Sequence, residues 1–128
     1  MVVSTSNEIP YLTEVNDGCM TILSDVAEDK GGGSKGMRPH DLLCAGLASC
    51  MNMTARMVLE RKGLPYEKVI VKVDLDRSDE ESTVFLYDVD IVGDISEDKK
   101  NAVKEILINC PVSKTLRKQI RVKNNSSF

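Results

Sequence analysis

Between Pro39 and Gly63 nothing in the chain breaks a helix except Gly46, and this long segment limits the available folds more than any other feature. Proline suits a first helical turn, because its missing N–H would have no intrahelical partner there. Asp41 follows in that turn, where the helix dipole favours negative charge. Gly63 supplies a C-terminal stop, and Pro65 lies just beyond it. The pattern predicts a helix from His40 to about Lys62. Leu43, Gly46 or Leu47, Cys50, Met53 and Met57 recur at helical spacing. They are expected on one buried face, with Glu60, Arg61 and Lys62 at the exposed end.

The flanking segments read as β-structure. Ile9–Val15 and Cys19–Val26 are expected as strands joined at Asn16-Asp17-Gly18, a hairpin signal. Glu28 to Gly36, with three consecutive glycines, reads as a flexible surface loop. It does not fit a phosphate loop, because no Gly-Lys-Ser/Thr stands at the right spacing. Val69–Leu75 alternates apolar with polar residues, and Val84–Val92 makes its antiparallel partner across a charged turn from Arg77 to Thr83. Ser96 is a suitable N-cap for a helix reaching about Asn109, with Ala102, Val103, Ile106 and Leu107 on one face. Pro111 ends that helix or begins a short one over Val112–Lys118. Ile120–Lys123 is expected as a last strand, and the tail 124–128 as frayed. The order β-β-α-β-β-α-α-β argues for a single α+β domain over residues 1–128, with antiparallel sheets and a long central helix.

Composition narrows the function. Of 128 residues, 41% are apolar but only 4% aromatic, so the core must rest on Val, Ile, Leu and Met. The net charge is −3 with mixed signs, and no basic patch with interleaved aromatics points to nucleic acid. No uninterrupted apolar run approaches the length of a membrane span. The N-terminus lacks the basic and apolar segments of a secretory signal, so a cytoplasmic location is expected.

Four cysteines stand at 19, 44, 50 and 110, and the only histidine is His40. None forms the close ligand pairs of a structural zinc site, so neither metal nor cofactor is expected. Inert buried thiols are the plainer reading of such cysteines, and redox-active thiols the alternative. If Pro111 opens a helix, Cys110 becomes its N-cap, where free N–H groups favour a thiolate. Packing beneath the joint is the competing role. Cys50, in mid-helix on an apolar face, needs a cation or donor against it in order to react. Arg38, His40 and Arg56 lie on or beside the same helix. Their plainer readings are surface charges or a helix-start residue, and Asp41 reads equally well as a first-turn charge.

Two segments together carry a resemblance. Arg38-Pro39-His40-Asp41-Leu42-Leu43-Cys44-Ala45-Gly46-Leu47-Ala48-Ser49-Cys50 has a proline, an acidic residue, Leu-Leu, small residues and then a cysteine. About sixty residues later comes Asn109-Cys110-Pro111-Val112-Ser113-Lys114-Thr115-Leu116. Both motifs, in this order, resemble those of the OsmC/Ohr proteins, and the resemblance extends over roughly Gly31 to Lys123. It implies an intertwined α+β homodimer with two active sites at the subunit interface. It further implies a peroxidase acting on organic hydroperoxides, in which Cys50 is oxidised to a sulfenic acid, Cys110 resolves it as a disulfide, and an external dithiol restores the pair.

The sequence also departs from that pattern. Characterised members carry Glu directly after the motif proline, where this chain has His40 with Asp41 one residue on. They also carry an Arg in the N-terminal β-region, whereas no Arg precedes Arg38 here. Arg38 and Arg56 are the candidates to replace it. These departures keep open an alternative on the same scaffold, a non-catalytic small-ligand-binding or redox-sensing protein.

Overall fold

The computed structural model describes residues 1–128 as two compact units, Met1–Ala45 and Gly46–Phe128. The first contains a three-stranded antiparallel sheet of β1 (Val3–Ser6), β2 (Thr13–Asn16) and β3 (Thr21–Ser24), in that order. The expected hairpin is present, with Asn16 opposite Thr21. Its turn is held by Asp17 Oδ1, which accepts the N–H groups of Cys19 and Met20, and by Gly18 at φ 100°. The strand expected from Ile9 begins only at Thr13. Pro10 has no N–H for a ladder, and Tyr11 adopts φ 64° in a tight turn closed by Asn7 N–H on the Leu12 carbonyl. β1 was not anticipated, because Val-Ser-Thr-Ser carries little apolar signal; all four residues are exposed.

The glycine-rich loop is not a free linker. Asp25, only 2% exposed, accepts N–H bonds from Val26, Gly33 and Lys35. The Lys35 amide is the largest influence holding its carboxyl below the usual range. Ser24 Oγ and the Asp25 amide both bond the Met37 carbonyl. An added Cβ at Gly36 would lie 2.4 Å from the Leu23 carbonyl oxygen, so glycine is required there by the close backbone approach.

α1 spans Pro39–Arg61. It closes as expected: Gly63 turns left-handed at φ 63°, and the Leu64 amide reaches the Leu59 carbonyl. The buried face differs from the expectation. Leu47, Met51, Ala55 and Leu59 are buried, whereas Leu43, Met53 and Met57 are 50%, 51% and 60% exposed. α1 is apolar nearly all round, so spacing alone cannot choose its inner face. Although the sequence shows no unbroken apolar run, α1 has the length and composition of a membrane-crossing helix. Its buried row nevertheless belongs to the protein core.

In the second unit, β4 (Lys68–Asp76) and β5 (Val84–Val92) pair antiparallel from Lys68↔Val92 to Asp76↔Val84. Val69, Val89 and Ile91 join the α1 row in the core. α2 (Glu97–Ile106) has Ser96 as its N-cap. It stops short of Asn109, because Leu107–Asn109 tightens into a 3₁₀ turn. Val103, Leu107 and Cys110 are buried, while Ala102 and Ile106 are exposed. α3 (Pro111–Leu116) begins at the proline itself. The strand expected over Ile120–Lys123 is absent, and Ile120 and Val122 are exposed. Alternation makes a segment fit to be a strand, but a strand forms only against a hydrogen-bonding partner. The architecture is α+β with antiparallel sheets, as the element pattern predicts.

Candidate thiol site

Both motif cysteines lie in the second unit, and the fold brings them together. α1 carries Cys50, half-buried against the core, and Cys110 forms the joint between the 3₁₀ turn and α3 at 1% exposure. The joint is determined locally. Cys110 N–H closes on the Leu107 carbonyl, and the Cys110 carbonyl accepts the first α3 bond from Lys114. Pro111 at the first helical position fixes the entry and leaves the next amide, that of Val112, without an intrahelical acceptor.

That amide bonds Cys50: Val112 N–H points at Cys50 Sγ with N···S 3.5 Å. The Cys110 thiol lies within hydrogen-bonding contact of the same sulfur. Both cysteines are free thiols.

Of the two readings of Cys110, a helix-start thiolate or packing beneath the joint, its burial accords with the second, and that burial pushes its pKa up. The neighbouring Ser113 amide offsets part of this, without forming a side-chain cap bond, and Cys50 raises the pKa further. The Cys110 S–H can donate towards Cys50. Desolvation outweighs the helix terminus at this position.

Arg38 Nε and Nη2 bond Asp41 Oδ2 and Oδ1, both at 2.8 Å. Asp41 Oδ2 also accepts the Arg38 backbone N–H at 3.2 Å. Asp41 thus closes the first turn of α1 from the N3 position, and the Arg38 bond is the main cause holding its carboxyl below the usual range. His40 is exposed beside it. Arg56 follows Cys50 by six residues, which turns it about 120° around the helix. It lines a groove of about 300 Å³ with Ala48, Ser49, Asn52, Met53 and Val71. Asn52 Nδ2 fastens this part of α1 to β4 through the Val69 carbonyl at 2.8 Å.

Sequence reasoning missed the Val112 amide as the donor to Cys50. The available signal was Pro111 at the first helical position, which marks the following N–H as free. Arg117 was also missed. Its Nη2 bonds the Ile108 carbonyl at 2.9 Å and Asn109 Oδ1 at 3.2 Å, just before Cys110. Cys19 is exposed and Cys44 half-buried.

The geometry can be compared with known proteins. An OsmC-like protein from Mycoplasma pneumoniae aligns with TM-score 0.72 at 20% identity, over 91% of this chain and 86% of the other. An organic hydroperoxide resistance protein OsmC from Legionella pneumophila aligns with TM-score 0.63 at 20% identity, over 91% and 88%. An organic hydroperoxide resistance protein from Elizabethkingia anophelis gives 0.64 at 17% identity, over 91% and 86%. At these identities the likeness concerns the fold. No curated protein matches in sequence. The family profile described as OsmC-like protein matches residues 31–125, which include both cysteine motifs, and the chain belongs to the OsmC-like family.

Proposed function

We propose that this protein is a thiol peroxidase that reduces organic hydroperoxides in oxidative-stress defence, with Cys50 as the attacking sulfur and Cys110 as its resolving partner. The observation that carries this reading is the contact between two cysteines about sixty residues apart, with the Val112 amide on the Cys50 sulfur. The Val112 N–H and the Cys110 S–H both face Cys50 Sγ. The Cys50 thiolate attacks the terminal peroxide oxygen. The O–O bond breaks, the alcohol leaves after taking a proton, and Cys50 becomes a sulfenic acid. Cys110 then attacks that sulfur, water leaves, and a Cys50–Cys110 disulfide forms. An external dithiol reduces the disulfide by two thiol exchanges and is itself oxidised. Family neighbours named for organic hydroperoxide resistance support the substrate class.

The same reading includes a cytoplasmic homodimer. Leu43, Met53 and Met57 form an exposed apolar row on α1, with Gly46 open between them, which suits a second copy. The groove beside Arg56 favours the alternative, a protein that binds a small amphipathic ligand without chemistry.

The deciding experiment follows consumption of cumene hydroperoxide by reduced protein with excess dithiothreitol, beside Cys50→Ser. Turnover by the wild type and none by the variant is the expected result. No turnover by the wild type overturns the peroxidase reading and directs attention to the groove.

A further inference from the structure

The joint that presents Cys110 is held from both sides. Before it, the 3₁₀ turn ends on the Leu107 carbonyl, which accepts the Cys110 N–H at 3.0 Å. After it, α3 runs for six residues and ends at Arg117, whose N–H bonds the Ser113 carbonyl at 3.1 Å. The Arg117 side chain then folds back across the joint. One nitrogen, Nη2, donates to the Ile108 carbonyl at 2.9 Å and to Asn109 Oδ1 at 3.2 Å. The segment from Ile108 to Arg117 is thereby closed into a ring of chain, with Cys110 and Pro111 at its turn.

Such closure matters for a thiol that must meet a second sulfur. The side nearest the core is fixed by packing: Leu107, Cys110, Val112 and Leu116 all lie in or against the core. The outer side has no such packing, since Ile108, Asn109, Pro111 and Arg117 are all exposed or nearly so. Thr115 Oγ1 ties the Pro111 carbonyl within α3 at 3.1 Å, and the two Arg117 bonds are the side-chain ties that reach back to the residues before Cys110. The Arg117 side chain bonds the backbone and Asn109 before Cys110, and neither sulfur.

We infer that Arg117 is a positioning residue for the Cys50–Cys110 pair: its fork onto Ile108 and Asn109 fixes the outer side of the joint and keeps Cys110 pre-placed for disulfide formation. The inference rests on reading these two cysteines as a redox pair. It does not depend on what oxidises them. Loss of the fork enlarges the conformational freedom of the dithiol form more than that of the cross-linked form, which already holds the joint. However, the cross-link then has to collect a looser segment, so the disulfide becomes less favoured.

The test is a redox equilibrium on the full chain, without hydroperoxide. Two protein thiols and oxidised dithiothreitol exchange for the protein disulfide and reduced dithiothreitol, so two electrons and two protons pass to the dithiothreitol sulfurs. The Cys50–Cys110 bond is quantified by peptide mass mapping across a range of dithiothreitol ratios. Arg117→Met keeps the stem and removes both donors. Its equilibrium constant should fall about fivefold, the equivalent of about 1 kcal/mol at 1.4 kcal/mol per tenfold. Asn109→Ala removes only one acceptor and should give about half that effect on the free-energy scale. Arg117→Lys, which restores a donor nitrogen on a shorter stem, should recover part of the loss. An Arg117→Met constant within a factor of about two of wild type, measured on protein that melts normally, overturns the inference. So does a wild type that forms no Cys50–Cys110 disulfide at any ratio. A normal redox equilibrium with no hydroperoxide turnover leaves Arg117 in its role and removes only the peroxidase reading.

Discussion

Replacing Cys110 by serine separates its capping role from its chemistry. The residue is 1% exposed, stands at the N-cap of α3 with extended backbone (φ −60°, ψ 153°), and makes no side-chain cap bond. Serine is among the preferred N-caps, and a hydroxyl bonded to the amide of α3 is worth about 1 kcal/mol. Against this stands the cost of burying a hydroxyl in place of a thiol, about 1–3 kcal/mol when unbonded and much less once the cap bond forms. The two effects nearly cancel, so stability should change by no more than about 1 kcal/mol, or about 3–5 °C in melting temperature for a chain of this size. Cys110→Ala loses the packing without gaining the cap and should melt lower than Cys110→Ser. In the proposed reaction, the serine variant still performs the first oxidation. One equivalent of hydroperoxide without reductant should leave Cys50 as a trapped sulfenic acid, detected by a dimedone-type adduct on the α1 peptide, whereas wild type shows the Cys50–Cys110 disulfide. A variant that melts far lower would refute the capping argument. A disulfide from Cys50 to Cys19 or Cys44 in either protein would refute the assignment of Cys110.

Three further outcomes follow from the structure. Met57→Glu places a charge on the exposed α1 row; in sedimentation it should weaken a homodimer at least about tenfold, because an unpaired buried carboxylate is costly, and an unchanged mass would remove α1 from the interface. Gly36→Ala must move the Leu23 carbonyl, which an added Cβ would approach to 2.4 Å; it should destabilise the chain by about 1–3 kcal/mol in urea unfolding. Asp25 has its folded pKa lowered by the Lys35 amide first, so its contribution is complete above the unfolded carboxylate range and is lost as pH falls through the folded value. The stability gap between wild type and Asp25→Asn, followed by thermal melting from neutral to acid pH, should therefore narrow only in acid, and a gap independent of pH would show that the charge is not what holds the loop.

Local chemistry was readable from the residues wherever a backbone constraint decided the outcome. Pro39 and Gly63 bracket α1 almost as expected. Asp17-Gly18 makes its turn, and the alternating β4 and β5 pair across the charged loop. Pro111 starts α3 and makes Cys110 its N-cap. These features depend on φ preferences, missing donors and spacing, all of which a short stretch of chain carries with it. The two cysteine motifs were legible only through their resemblance to the OsmC/Ohr pattern.

Tertiary packing decided what those elements face. α1 is apolar on more than one side, so only its contact with the sheet could select Leu47, Met51, Ala55 and Leu59 over Leu43, Met53 and Met57. Burial pushes the Cys110 thiol up, against what its helix-start position implies, because desolvation depends on neighbours distant in sequence. Ile120–Lys123 has the alternation of a strand but no strand to pair with, and a ladder is a property of two segments. The donor on Cys50 comes from Val112, and no local rule connects residues that far apart. Spacing fixed each motif within its own helix, and the packing of α1 against the Cys110 joint put the two sulfurs side by side.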